Sequence, residues 1–96
     1  MSEYDANGRG VTMDEMNLRA IFGDVRGELT RAAKHPPFNS AHEGYAVILE
    51  EMDELKEHVW KKQHSRDIVA MRAEAIQVAA MAVKFIQMVD ATGGRK

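Results

Sequence analysis

Tyr45-Ala46-Val47-Ile48-Leu49-Glu50-Glu51-Met52-Asp53-Glu54-Leu55-Lys56-Glu57-His58-Val59-Trp60 reads as one long amphipathic helix. Its apolar members Tyr45, Ile48, Leu49, Met52, Leu55 and Val59 recur at helical steps and form a single buried stripe. Beside the stripe runs an acidic cluster, Glu50, Glu51, Asp53 and Glu54. Residues three or four apart on a helix are neighbours, so Glu51 and Glu54 can aim two carboxylates at one point. Glu50 or Asp53 can support them. A third carboxylate from another helix, for which Glu74 is placed, would complete an all-oxygen pocket for a hard divalent cation such as Mg²⁺. Such a pocket suggests phosphate chemistry.

Outward from this helix the chain punctuates itself clearly. Ser40 with Glu43 three residues later predicts a capping box, so helix two runs from Ala41 to about Lys62. Pro36-Pro37 closes the segment before it. There Thr12, Asp14 and Glu15 predict a helix start, and Met13, Met16, Leu18, Ile21, Phe22, Val25 and Leu29 carry helix one to about Lys34. Gly23 and Gly27 inside it predict a close helix contact or a bend. Beyond Gln63-His64-Ser65, either Ser65 or Asp67 can cap helix three, which runs from about Ile68 to Ala91 and ends at Gly93-Gly94. Its centre, Ala75 to Val83, is apolar on nearly every side apart from Gln77. Three helices of this length cannot surround such a segment, so self-association is expected. The fold class is all-α: a three-helix subunit over residues 12–92, with short tails at 1–11 and 93–96. The first tail, rich in glycine and polar residues, is expected to be frayed.

The totals exclude several classes. Ninety-six residues make one domain, and a net charge of −2 with scattered Lys and Arg gives no general attraction to nucleic acid. Without cysteine there are no disulfides and no thiolate metal sites. The longest apolar run, Val78 to Val83, is far short of a membrane span. Nothing at Met1-Ser2-Glu3-Tyr4-Asp5 looks like a secretory leader, so a cytoplasmic protein is expected.

Glu50-Glu51-Met52-Asp53-Glu54 followed by Glu74-Ala75-Ile76-Gln77 resembles the MazG-like nucleotide pyrophosphohydrolases. That family carries Glu-Glu-x-x-Glu on one helix and Glu-x-x-Asp on a later one. The extension Glu54-Leu55-Lys56-Glu57 is similar as well. The likeness covers about Ala41 to Val89, and departs from the pattern at Gln77, where the family has Asp. It implies an all-α oligomer, a homodimer or homotetramer. The implied activity is Mg²⁺-dependent (Mn²⁺ also suits) hydrolysis of a ribo- or deoxynucleoside triphosphate to monophosphate and pyrophosphate. Carried over by position, Glu51, Glu54 and Glu74 would be metal ligands, with Gln77 at the fourth place. Glu50 would be a supporting ligand or the group that orients the attacking water. An amide oxygen at Gln77 can still ligate Mg²⁺ but brings no charge. A catalytically degenerate nucleotide- or metal-binding relative is therefore the main rival, and an adaptor bundle using its Met-rich face is the second.

Plainer readings stand beside these. The acids of helix two could be a solvated face. Yet Glu50/Glu54 and Asp53/Glu57 are like-charge pairs at four residues' spacing, and no Lys stands four residues after Glu50, Glu51 or Asp53. Glu74, if buried, needs a metal or a basic partner, for which Arg72 and Lys84 are available. His35 and His42 flank the prolines and could line a pocket, whereas a surface place suits them as well. The four histidines are not spaced as a ligand set. Phe38 and Trp60 could stack on a base, or serve as core or interface. Lys61-Lys62 complement the dipole at the end of helix two.

Overall fold

In the computed structural model, residues 3–4 and 10–93 are described. Three helices carry the fold: α1 (Met13–Ala32), α2 (Ala41–Val59) and α3 (Ile68–Ala91). A 3₁₀ turn at Gln63–Ser65 lies between the last two. The all-α reading holds at this level. The expected frayed tail carries one regular feature: two short strands, β1 (Glu3–Tyr4) and β2 (Gly10–Val11), pair antiparallel with Glu3 opposite Val11. Two residues per strand are too few for the alternation that would have revealed them. The rest of that tail, and residues 94–96, lie outside the described residues.

Caps set the helix boundaries. Thr12 Oγ1 accepts from the Glu15 N–H at 3.1 Å, Ser40 Oγ from Glu43 N–H at 3.1 Å, and Asp67 Oδ1 from Ala70 N–H at 3.0 Å. Asp67, not Ser65, therefore starts α3. The Glu43 carboxylate does not return to Ser40. It accepts instead from the backbone N–H of Asn39 at 2.9 Å and from its side-chain amide at 3.3 Å. Helix α2 stops at Val59 rather than at Lys62, because the Arg66 guanidinium donates to the Val59 carbonyl at 2.9 and 3.1 Å. An orphan carbonyl of the last turn is satisfied there, and Lys61-Lys62 fall outside the helix. Gly93, with φ 89°, ends α3 in the left-handed conformation that glycine adopts without strain.

Helix α3 is the centre of the molecule, and α1 and α2 pack on its two flanks. Helix α2 runs antiparallel to it: Gly44 meets Phe85 near one end, while Glu54 meets Glu74 near the other. Helix α1 runs parallel to it, with Asp24 bonded to Arg72 and Glu28 beside Gln77 along one cavity wall. Gly44 is the close approach in this packing. A Cβ there would lie 2.6 Å from Phe85 Cδ2 and 2.9 Å from Phe38 Cδ2. By contrast a Cβ at Gly23 or Gly27 would meet nothing within 4 Å, so the close contact expected of them is not made within the chain.

The result is a thin row of helices, 45 × 44 × 22 Å, with a radius of gyration of 16.5 Å. A compact chain of this length would measure about 12.5 Å. The fully buried apolar residues are Val25, Phe38, Ala80, Met81 and Met88, a small core lying along α3. No helix among the described residues is long and apolar enough to cross a membrane.

Candidate metal centre

The antiparallel packing of α2 on α3 sets Glu51 and Glu54, one turn apart, opposite Glu74. One carboxylate oxygen from each lies within 4.8 Å of the other two. Glu51 and Glu74 are half-buried and Glu54 is exposed. Burial pushes the Glu51 carboxyl above its ordinary value, and the charges of Glu54, Glu74 and Glu50 add to the rise. Glu74 is raised as well, again by burial first, then by a hydrogen bond shared with Glu54 and by that group's charge. His58 acts in the opposite sense on Glu74, and Glu57 in the same sense. Glu51 and Glu74 resist ionisation because they are drawn out of water and their neighbours are also negative.

Glu74 makes the electrostatic problem sharpest. Its Oε2 is buried and has no hydrogen-bond partner among the described residues. Arg72 and Lys84 are engaged elsewhere, while His58 of α2 lies close enough for its charge to favour the ionised form of Glu74. Arg72 bonds Asp24 at 2.7 Å, and the Lys84 ammonium sits 4.6 Å above the Phe38 ring centroid. An uncompensated carboxylate held out of water is costly, and a bound cation would relieve all three acids together. The donors are oxygens only, which suits a hard divalent cation. This cluster could bind a metal ion; nothing in it singles out Mg²⁺.

The other residues singled out in the sequence fall as follows. Glu50 is exposed at the rim, outside the trio, and its charge is felt at Glu51. Asp53 is exposed on the far side of α2. Gln77 lies one turn beyond Glu74 and lines the same cavity wall as Glu28 of α1. Phe38 is core, 7% exposed, so its ring is closed to a stacking base. Trp60 is 75% exposed. His42 is exposed, while His35 lines a cavity.

That cavity, of about 600 Å³, opens between α1 and α2 with α3 as its floor. Glu51, Gln77, Arg31, His35, Asn39 and Lys84 are among the polar residues that line it. Arg31 is paired with Glu28 at 2.8 Å, an interaction that holds the Glu28 carboxyl below its ordinary range. The volume is that of a small-molecule site. Two residues beside the trio were missed in the sequence. Glu28 gives no local sign, since its proximity to Gln77 follows from the parallel α1–α3 packing. His58 does give one: it lies four residues after Glu54 and seven after Glu51, on the same helix face. It is half-buried, with Nδ1 unpartnered.

Compared with protein-family models, curated proteins and solved structures, the chain matches none.

Proposed function

We propose that the chain is a divalent-cation-dependent nucleoside triphosphate pyrophosphohydrolase of the MazG-like kind. The observation that carries this reading is the meeting of Glu51, Glu54 and Glu74 within 4.8 Å, with Glu51 also lining a cavity that holds the cationic side chains of Arg31 and Lys84. Mg²⁺ is the expected cation, held by these three carboxylates with the Gln77 amide oxygen as a neighbouring donor. When bound, such an ion neutralises phosphate charge, polarises phosphoryl oxygens and lowers the pKa of water.

The chain's own residues supply the rest. Lys84 and Arg31 face the cavity where a triphosphate would extend from the trio, and Asn39 and His35 offer hydrogen bonds to sugar or base. A water oxygen attacks the α-phosphorus and the bond to the bridging oxygen breaks. Monophosphate and pyrophosphate leave, and the proton lost by water passes to the acidic face, where Glu50 is the candidate acceptor. The working unit in this reading is a homodimer or homotetramer.

Hydrolysis in ¹⁸O-labelled water tests the assignment. Attack at the α-phosphorus places the label in the monophosphate; label in pyrophosphate or in free phosphate contradicts it.

A second reading is favoured by one observation. Gln77 stands where the family pattern has Asp, which leaves the trio with three charges where that pattern provides four. A chain so placed binds metal and nucleotide but turns over slowly. A Mg²⁺- and nucleotide-dependent rise in melting temperature without product would establish that reading.

A further inference from the structure

Lys61 and Lys62 would suit the last turn of a longer α2, yet the helix ends at Val59 and leaves both beyond it. Among the described residues neither is in an ion pair, and nor is Arg66, whose guanidinium donates to the uncharged Val59 carbonyl. From Val59 to Val69, three permanent cations (Lys61, Lys62 and Arg66) stand against a single anion, Asp67, in a chain whose total charge is −2. The Arg66 bonds, with the Ser65 N–H donating to the Lys62 carbonyl at 2.8 Å, fold residues 59–66 into a tight turn. Val59 and Trp60 thereby come to the same end of the molecule as Ile68 and Val69 at the start of α3. Trp60 is 75% exposed, Ile68 64% and Val69 80%. An apolar tip accompanied by cations projects there. It stands apart from the acidic trio. The Trp60 backbone is still right-handed helical, with φ −79° and ψ −3°. At about 100° per residue it lies roughly 180° around α2 from Glu51, turned away from anything bound in the groove.

We propose that this turn docks on a bilayer surface rich in anionic phospholipid, with Trp60, Ile68 and Val69 entering the headgroup layer and Lys61, Lys62 and Arg66 meeting lipid phosphates. An indole suits that boundary because its body is apolar and its N–H polar. Lysine stems lie along apolar surface while their ammonium groups reach outward. Ile68 and Val69 have no π face to stack on a base, which argues against single-stranded nucleic acid. Lysine is depleted where proteins meet, which argues against a protein partner. Charge completes the fit: each Lys or Arg near an anionic leaflet strengthens binding about fivefold. Attachment by so small a tip is reversible, and it spans nothing.

Trp60 is the chain's one tryptophan, so its fluorescence reports on the tip itself. Vesicles of equimolar phosphatidylserine and phosphatidylcholine should shift the emission of the full chain to the blue, and high salt should reverse the shift. Phosphatidylcholine alone should leave it nearly unchanged. Lys61→Gln combined with Lys62→Gln should weaken vesicle binding about thirtyfold, with circular dichroism unchanged because both positions lie outside the helices. Emission unmoved by the mixed vesicles would overturn the proposal, as would an equal shift with phosphatidylcholine alone or a double variant that binds as tightly as the parent. Quenching by oligothymidylate without any response to vesicles would assign the tip to nucleic acid and overturn it too. So would emission already blue and shielded from iodide in vesicle-free solution, which would show Trp60 covered by protein. Should the double variant unfold, the lipid and salt dependence of the unmodified chain still decides. No readout uses catalysis, so the outcome is separate from that of the hydrolase reading.

Discussion

Arg72 donates to Asp24 across the α1–α3 contact at 2.7 Å, while Glu74, two residues on and turned to the α2 side, keeps a buried Oε2 with no hydrogen-bond partner among the described residues. The Arg72–Asp24 pair pins the parallel α1 to the start of α3. The unpartnered Oε2 of Glu74 is then most economically a ligand atom.

The pH dependence follows from the two raised carboxyls. A carboxyl whose folded-state pKa exceeds its unfolded value stabilises the fold below that unfolded value, about 4.5 here. The contribution is lost as pH climbs through the folded value. The metal-free chain is therefore expected to lose stability from Glu51 and Glu74 as pH rises above that point, and Mg²⁺ to restore it. Thermal melts with and without Mg²⁺ should show an increment at pH 7.5 that shrinks as pH falls towards 5. An increment independent of pH would contradict the acidic trio as the binding site.

Neutralising the trio separates function from stability. Glu74→Gln removes the unpartnered charge, so its metal-free melting temperature should match or exceed that of the parent. Its turnover and its Mg²⁺-induced shift should both fall, turnover by roughly a hundredfold or more. Circular dichroism and a hydrolysis assay on the same preparation check this. A variant that melts lower yet turns over normally would make Glu74 a structural residue only.

Gln77→Asp returns a fourth carboxylate and should tighten Mg²⁺ and raise turnover. The new charge would also face Glu28, so the gain should be larger when Glu28→Gln is added, a coupling that a double-mutant cycle measures. Unchanged Mg²⁺ affinity in Gln77→Asp would place that position outside the ligand set.

Gly44→Ala tests the packing that builds the site. Alanine favours the helix by about 1 kcal/mol. Its Cβ, however, would press on Phe85 and Phe38 at 2.6 and 2.9 Å. Overpacking of this kind costs roughly 1–3 kcal/mol, so net destabilisation is expected, together with weaker Mg²⁺ binding as α2 is pushed from α3. Phe85→Leu in the same chain should recover part of both losses. A more stable Gly44→Ala chain would show that the rings move aside at no cost.

The helices were legible in the sequence because local chemistry writes them. Thr12, Ser40 and Asp67 accept the bonds expected of caps, and Pro36-Pro37 closes the first segment. Glu51 and Glu54 could be paired from spacing alone, since one helix carries both. Glu74 joined them through a resemblance, and the antiparallel α2–α3 packing brings it there. What could not be read is whatever depends on long-range packing. The approach of Glu28 to Gln77 needs the parallel run of α1 against α3. The early end of α2 needs Arg66 to fold back seven residues onto the Val59 carbonyl. The open space beside Gly23 and Gly27 follows from the open row of helices, which no local pattern encodes.

Pyrophosphate release from a panel of ribo- and deoxynucleoside triphosphates, with and without Mg²⁺, tests the central claim most directly. The expected result is release from at least one triphosphate that requires the metal and disappears in Glu51→Gln. Release that persists in Glu51→Gln, or none from any triphosphate with Mg²⁺ or Mn²⁺, would contradict the assignment of the acidic trio as a hydrolytic centre.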